Sequence, residues 1–147
     1  MATKIVANNR KAQFEYFLFE RYEAGIALLG SEIKSIRAGQ ISLAESYINI
    51  DNGQVWLMEA HIAPYESANR FNHDPKRPRR LLLHDKEIRE LFASVRQKGM
   101  TIVPLKVYLK DGKAKIECAL AKGKKLYDKR QAIAKRDSQR EEQRNKK

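Results

Sequence analysis

The sequence has very little cysteine and no long apolar run. Cys118 is the only cysteine, so an internal disulfide and a cysteine-rich zinc site are both excluded. The first residues contain no apolar stretch of the length that a secretory signal needs. No segment approaches the about 18 consecutive apolar residues of a transmembrane helix. These absences predict a cytoplasmic chain without membrane association.

Residue types that serve in catalysis are also scarce. The three histidines, His61, His73 and His84, show no spacing typical of metal ligands. Cys118 lies on the apolar face of a predicted strand, which favours a core position over a nucleophile. The Gly-Lys-Lys run at residues 123–125 lacks the earlier glycine of a phosphate-binding loop. We therefore predict that the chain is not an enzyme and has no cofactor, metal site or small-molecule substrate.

Positive charge, by contrast, is abundant. The 30 Lys and Arg outnumber the 18 Asp and Glu, and a net charge of +12 attracts polyanions such as nucleic acids. Residues 122–147 alone hold 11 Lys and Arg against 4 Asp and Glu, with little apolar content. We therefore divide the chain into an RNA-binding body, residues 1–122, and a basic tail, residues 123–147. The tail lacks an apolar stripe, so we predict that it is disordered alone and helical against RNA; a solvated tail that only aids solubility is the alternative.

Two antiparallel hairpins are predicted from apolar residues that alternate on either side of a tight turn. One hairpin surrounds the Asp-Gly dipeptide at residues 111–112, and the other surrounds Asn-Gly at residues 52–53, pairing 45–51 with 54–63. The first strand of the 111–112 hairpin is expected to have one apolar face, formed by Val103, Leu105, Val107 and Leu109.

Further strands and two helices complete the expected fold. Residues 14–22 and 25–29 are typical of one long strand or a pair bent at Gly25, and residues 81–83 of a short strand. Helices are predicted at residues 85–98 and from Ser31, as a cap, to about residue 38. The pattern predicts a mainly β fold: a small antiparallel OB-like β-barrel with two or three flanking helices and a basic C-terminal tail.

Clusters of Lys and Arg indicate where RNA would bind. Residues 69–80 combine five basic residues with two prolines and Phe71, which predicts an exposed loop with a ring for stacking. Further clusters are found at residues 9–11 and on the outer face of the helix that begins at Ser31; for the loop and for residues 9–11, a merely solvated charge run is the alternative. The basic candidates in these clusters are Arg10, Lys11, Lys34, Arg37, Arg70, Lys76, Arg77, Arg79 and Arg80.

Blocks of residues in order from about position 8 to position 137 resemble the SmpB family. They include Asn9-Arg10-Lys11-Ala12, Tyr22-Glu23-Ala24-Gly25-Ile26-Ala27-Leu28, Glu32-Ile33-Lys34-Ser35-Ile36-Arg37-Ala38-Gly39, Asn72-His73-Asp74-Pro75, Leu81-Leu82-Leu83-His84, Ala121-Lys122-Gly123-Lys124-Lys125 and Asp128-Lys129-Arg130. Beyond Arg136 the tail has no bulky apolar residue, unlike some relatives, so we predict no anchor residue there.

The resemblance implies a monomer that binds the transfer-RNA-like domain of tmRNA and enters stalled ribosomes with it during trans-translation. It places Asn9, Glu23 and Leu82 on the barrel face that binds this RNA. It also implies that the tail contacts small-subunit ribosomal RNA in the decoding centre and the empty messenger path, through Gly123, Lys124, Lys125, Tyr127, Asp128, Lys129 and Arg130. The residues by themselves leave open a general OB-type protein that binds single-stranded or ribosomal RNA.

Overall fold

The structure, a computed structural model, describes residues 3–65 and 73–124 of the chain. It is mainly β, with three helices. In chain order the elements are β1 (Thr3–Asn8), α1 (Arg10–Glu15), β2 (Tyr16–Ile26), α2 (Gly30–Arg37), β3 (Ile41–Ser42), β4 (Tyr47–Asp51), β5 (Gln54–Met58), β6 (His61–Ile62), β7 (Arg79–Leu82), α3 (Asp85–Lys98), β8 (Thr101–Lys110) and β9 (Lys113–Gly123). The expectation of a mainly β, antiparallel fold with two or three helices is confirmed.

Seven strands form one antiparallel sheet in the order β1-β8-β9-β2-β7-β5-β4, and β3 pairs with β6 separately. Both predicted hairpins are present, as β4–β5 and β8–β9. Their turn residues Asn52, Gly53, Asp111 and Gly112 all have positive φ. Two successive residues with positive φ give the turn a twist that matches that of the flanking strands, which is why Asn-Gly and Asp-Gly are favoured there.

The large sheet is curled but open. Strand β4 lies close to β8 although four strands separate them in the sheet order, so the sheet bends back on itself. Within residues 3–65 and 73–124, however, no ladder joins the two edge strands β1 and β4. The closed barrel that the sequence suggested is therefore not found among the described strands.

The prediction that the apolar residues of β8 all lie on one face of the sheet is wrong. The register between β8 and β9 shifts between Pro104 and Lys106, which reverses the side of the sheet that later residues face. Val107 lies in the main core, whereas Val103 and Leu105 belong to a second cluster on the other side. A proline has no N–H to donate to the ladder, so it is readily accommodated at such a bulge.

The second cluster is covered by a helix that the sequence did not predict. Helix α1 contributes Ala12, which packs on Val103, Leu105, Ala119 and Ala121. The six residues of α1 contain no periodic apolar pattern that would have revealed it. Its position depends on the bulge in β8, a tertiary feature.

The two predicted helices are confirmed, although the expected cap of α2 is wrong. Helix α3 ends at Lys98 and is followed by Gly99, whose φ of 64° gives the left-handed cap typical of glycine. Helix α2 is preceded by Leu29 rather than by Ser31. The Ser31 hydroxyl instead lies 2.8 Å from Nδ1 of the buried His73, whose Nε2 lies 2.8 Å from the Ile62 carbonyl oxygen. Since that carbonyl can only accept, Nε2 carries a proton, and the two contacts attach His73 to α2 and β6.

Of the two alternatives for residues 14–29, one long strand or a pair bent at Gly25, the structure shows the long strand. Strand β2 is continuous from Tyr16 to Ile26, and its irregularity lies between Leu18 and Arg21. Gly25 instead pairs with Leu82, and a Cβ at position 25 would lie 3.3 Å from the Leu82 Cβ. The missing side chain at Gly25 therefore makes room for Leu82 on the outer surface of the sheet.

Candidate nucleic-acid interface

A buried ion pair fixes helix α2 to the start of β7. Glu32 and Arg79 are both 0% exposed, and the Glu32 Oε2 accepts a hydrogen bond from the Arg79 Nε at 2.6 Å. The other carboxylate oxygen accepts from Arg77 Nη2 at 2.5 Å and from the Leu29 amide at 2.8 Å. Arg79 also donates to the carbonyl oxygen of Ala60 at 2.5 Å. Because both charged groups have several hydrogen-bond partners, a folded protein can tolerate this ion pair in its interior.

This ion pair corrects the expectation that Arg79 lies in an exposed RNA-binding loop. Its guanidinium is enclosed by protein and has no surface to offer an RNA. The side chain of Arg77 is 30% exposed, but one of its nitrogens is also bound to Glu32. Sequence reasoning assigned Glu32 no role in an ion pair, because a glutamate in an amphipathic helix is ordinarily solvated.

The same contacts determine the ionisation of Glu32. Burial by itself would raise the pKa of the carboxyl, but hydrogen bonds from Arg77, the Leu29 amide and Arg79 together hold this pKa below its ordinary value of 4.5. A carboxyl with a lowered pKa in the folded state stabilises that state above the unfolded-state pKa, and the stabilisation is lost as the pH falls.

We therefore expect the free energy of unfolding to decrease as the pH is lowered from neutrality through the Glu32 titration. In Arg77→Ala this decrease should be shallower, because the hydrogen bond that lowers the Glu32 pKa most is removed while Arg79 stays in place. Urea unfolding between about pH 7 and pH 3 would measure both slopes. Arg80→Ala, on the same strand but facing solvent, is the matched control and should keep the wild-type slope. Equal slopes for Arg77→Ala and wild type would contradict the assignment.

The other basic residues of the predicted loop have different environments. Arg80 is exposed, and Lys76 lies 3.6 Å from Glu45 in an exposed ion pair. Arg70 and Phe71 lie outside the described residues. Of the basic residues at positions 69–80, Lys76 and Arg80 are therefore the ones whose side chains face solvent within the described residues.

The outer face of the sheet brings Glu23 and Leu82 together. Both side chains point away from the main core, since their neighbours Tyr22, Ala24 and Leu81 are buried in it. Gly25, two residues after Glu23, is the register partner of Leu82. Residues that are diagonal across neighbouring strands lie roughly 7–8 Å apart. Leu82 is 48% exposed, unusual for a leucine in a central strand, and is thus available for contact.

Glu23 is held as a carboxylate at this face. The Tyr108 hydroxyl donates a hydrogen bond to Glu23 Oε2, and the Lys110 Nζ lies 3.7 Å from Oε1. The hydrogen bond from Tyr108, followed by the charges of Lys110 and Lys115, lowers the pKa of Glu23 against the opposing effect of burial. An ionised, oriented carboxylate can accept hydrogen bonds from base amino groups or ribose hydroxyls.

A second charged row, absent from the sequence-based candidates, lies beside Glu23. Glu117 on β9 is flanked by Arg21 at 3.0 Å and by Lys106 at 3.4 Å, from the two neighbouring strands. Alternation along each strand could have shown which of these residues face outwards. Their alignment across three strands requires the register, which the sequence does not give.

Helix α1 lies next to this row and is positioned by Asn9. The Asn9 side chain accepts from the Ala12 amide at 3.3 Å and donates to the Pro104 carbonyl oxygen at 2.8 Å. It is only 9% exposed, so its visible role is to cap α1 and attach it to β8. The next two residues, Arg10 and Lys11, are exposed, and Lys11 lies 3.9 Å from Glu15 within the helix. Asn9 thus presents the two cations beside the outer face of the sheet.

Lys34 and Arg37 form a separate surface. Helix α2 buries Ile36 in the main core, on the opposite side of the sheet from Glu23 and Leu82. Both cations are exposed; Lys34 lies 5.6 Å from the ring centre of Tyr65, and Arg37 donates to the Gly112 carbonyl oxygen at 3.3 Å. The structure therefore does not bring these two residues together with the first group.

The beginning of the predicted tail belongs to the sheet. Gly123 pairs with Tyr16 at the end of β9, and Lys124 Nζ lies 5.5 Å from the Phe17 ring centre. The remaining tail candidates, Lys125, Tyr127, Asp128, Lys129 and Arg130, lie outside the described residues.

Cys118 is fully buried in the main core, where burial raises the pKa of its thiol to about 12, confirming its assignment as a core residue. In residues 3–65 and 73–124, no group of three or more His, Cys, Asp or Glu could hold a metal ion. Nor does that part of the chain contain a helix long and apolar enough to cross a bilayer.

Comparison with known families identifies the chain. The family model described as SmpB protein matches residues 6–147. The chain belongs to the SmpB family. Proteins of this family bind RNA and are not enzymes, which confirms the expectation drawn from the scarcity of catalytic residues.

Close relatives support the assignment to the SmpB family over nearly the whole chain. The SsrA-binding protein of Carboxydothermus hydrogenoformans is 59% identical over 138 residues, which cover 94% of this chain and 93% of the relative. That of Desulforudis audaxviator is 58% identical, with 94% and 90% covered. A solved structure described as "tmRNA-SmpB: a journey to the center of the bacterial ribosome" is 47% identical, with a TM-score of 0.66, and the match covers 80% of this chain and 82% of that one.

Proposed function

We propose that this SmpB-family chain is a cytoplasmic, monomeric adaptor that binds the transfer-RNA-like domain of tmRNA and delivers it to stalled ribosomes in trans-translation. Relatives that are 58% and 59% identical are named SsrA-binding proteins. A homologue of known structure is described together with tmRNA and the centre of the bacterial ribosome. Both support an RNA partner and a ribosomal destination.

The observation that supports the RNA-binding face best is the placement of Glu23 and Leu82 side by side on the outer surface of the sheet. A half-exposed leucine offers an apolar contact, and an oriented carboxylate offers acceptors for base or ribose groups. Arg21, Lys106 and Lys110 outnumber the two carboxylates with which they pair, Glu117 and Glu23, and so leave this face with a net positive charge for phosphates. This combination suits a folded RNA that is recognised by shape as well as by charge.

Arg10, Lys11 and Arg80 extend this face on either side. Arg10 and Lys11 follow the Asn9 cap at one side, and Arg80 lies two residues before Leu82 at the other. In the proposed interface Asn9 acts mainly by holding α1. Arg77 and Arg79 act by fixing the strand that presents Arg80 and Leu82. The proposed scaffold is an OB-like open barrel, consistent with the curled sheet.

The tail has a different proposed role. We assign the part of the tail beyond the sheet, residues 125–147, to the decoding centre and the empty messenger path, where its net positive charge would meet ribosomal RNA. On this proposal the body recognises tmRNA and the tail recognises the state of the ribosome. Lys34 and Arg37, on the other side of the sheet, are available to a second RNA surface such as small-subunit ribosomal RNA.

A competition experiment tests the proposal. Full-length protein bound to labelled transfer-RNA-like domain is challenged with unlabelled RNA of the same domain or with an equal mass of single-stranded RNA. We expect only the folded domain to compete efficiently. Equal competition by both RNAs would favour a general RNA-binding module instead.

The affinity for RNA should also depend on salt. Because phosphate contacts release counterions, the logarithm of the binding constant should fall linearly with the logarithm of the salt concentration, with a slope of roughly 0.7–0.9 per contact.

A further inference from the structure

The outer face of the sheet continues beyond Leu82 as a row of three side chains on three adjacent strands. In the sheet register Arg80 on β7 is the partner of Trp56 on β5, and Trp56 is the partner of Asn49 on β4. The inward residues of β5, Val55 and Leu57, are 0% exposed and complete the core. Trp56 therefore lies on the opposite side of β5, partly exposed, without a role in the main core.

The polar groups of Arg80, Trp56 and Asn49 are available to bind a ligand. Within residues 3–65 and 73–124, the Arg80 guanidinium has no ion-pair or hydrogen-bond partner, whereas Arg77 and Arg79 are both bound to Glu32. The indole N–H of Trp56 and the amide of Asn49 likewise have no hydrogen-bond partner in the described chain. Large aromatic side chains are usually buried. The partial exposure of Trp56 beside Arg80, which has no ion-pair partner in the described residues, is therefore not required for stability of the fold.

The row is continuous with the proposed RNA-binding face. Leu82 lies on the same side of β7 as Arg80, two residues further on. Trp56 is therefore diagonal to Leu82 across neighbouring strands, a separation of roughly 7–8 Å that an aromatic side chain can span. Together the residues form one surface from Glu23 to Asn49.

The chemistry of the row matches a single nucleotide. An indole ring stacks on any base, a guanidinium binds a phosphate through two parallel hydrogen bonds, and an amide reads a base edge. Paired bases inside a duplex do not expose their faces, so the base must be unpaired or turned out of a loop. Neighbouring side chains in the sheet are about 5 Å apart, so base, phosphate and base edge could be contacted at once.

We propose that Trp56, Arg80 and Asn49 form a subsite for one unpaired nucleotide of the bound RNA. Its base stacks on Trp56, Arg80 holds its phosphate, and Asn49 contacts its edge. This subsite rests on the proposed function and specifies a loop of the RNA, rather than a helical stem, as the part that crosses β7 and β5.

The chain contains one tryptophan, so its fluorescence reports on this site alone. Wild-type protein is titrated with the transfer-RNA-like domain of tmRNA while Trp56 emission and the anisotropy of end-labelled RNA are followed in parallel. We expect the emission to be quenched, with the same midpoint as the rise in anisotropy. A rise in anisotropy with unchanged emission would overturn the subsite and leave the proposed function standing. Absence of any rise in anisotropy would overturn both.

Substitutions provide an independent test by affinity. Trp56→Leu removes the ring but keeps an apolar side chain, and is expected to weaken binding roughly 5- to 100-fold. Trp56→Phe keeps a stacking ring and should stay close to wild type. Arg80→Lys keeps the charge but loses the planar fork, and should bind less tightly than wild type but more tightly than Arg80→Ala. Unchanged affinity in a Trp56→Leu protein with a wild-type circular dichroism spectrum would overturn the subsite.

Discussion

Replacing Arg79 by alanine is expected to destabilise the protein by about 3–5 kcal/mol, because the substitution leaves the Glu32 carboxylate buried without its fully buried partner. Glu32 and Arg79 are both fully enclosed, so water cannot replace the lost hydrogen bonds. The Ala60 carbonyl would lose its donor as well. Urea unfolding monitored by circular dichroism would measure the loss. The expected phenotype is a chain that is largely unfolded or unfolds at a much lower temperature.

Arg80→Ala is the matched control, one residue further along the same strand. Its side chain is exposed and has no partner in the described residues, so its removal should change stability by no more than about 0.5 kcal/mol while weakening RNA binding. A double variant, Glu32→Leu with Arg79→Met, separates charge from packing. Replacing a buried ion pair by apolar residues of similar size is often neutral, so this variant should recover much of the lost stability. Equal effects of Arg79→Ala and Arg80→Ala would show that the buried pair is unimportant.

A chain that ends at Lys124 is expected to bind the transfer-RNA-like domain of tmRNA but to lose the tagging of stalled nascent chains entirely. Truncation at this residue keeps the whole of β9, including the pairing of Gly123 with Tyr16, and should therefore leave the body folded. Affinity should change little at physiological salt, where the non-specific attraction of the tail for phosphates is weakened. Tagging on stalled ribosomes in a reconstituted translation system would measure the second activity.

Substitutions on the sheet face are the reciprocal control. Leu82→Ala and Glu23→Ala should weaken tmRNA binding first, and tagging should recover when the RNA is supplied in excess. The truncated chain should not recover under the same conditions. Loss of RNA binding on truncation, in a chain that remains folded, would mean that the tail belongs to the same binding surface as the body. Normal tagging by the truncated chain would contradict the proposed role of the tail.

The elements that the sequence predicted well are those governed by local chemistry. The turns at residues 52–53 and 111–112 require positive φ, which Asn-Gly and Asp-Gly supply. Helix α3 has a clear apolar period and a glycine at its end. By contrast, the bulge at Pro104 depends on how β8 pairs with β9. The alternation of apolar residues therefore predicted one apolar face for β8, whereas the bulge divides these residues between two faces. No pattern in the sequence indicated α1.

The candidate site divides in the same way. The positive charge follows from composition, and the expectation that Glu23 and Leu82 share a binding face came from the resemblance to the SmpB family. The sequence grouped Arg77, Arg79 and Arg80 as equivalent members of one basic loop. The structure separates them, since Arg79 is buried against a glutamate 47 residues away and Arg80 faces solvent.

By itself the sequence determined that the protein is a small, basic, mainly β protein without catalytic groups, because charge, turn residues and alternation act over a few residues. Only the tertiary structure decided which arginines stabilise the fold and which are available to RNA, and which outward residues share a surface. The physical reason is that the same side chain is a structural ion-pair partner or an RNA contact according to the groups that folding brings next to it. Those groups come from distant parts of the chain, and a register shift of one residue is enough to exchange them.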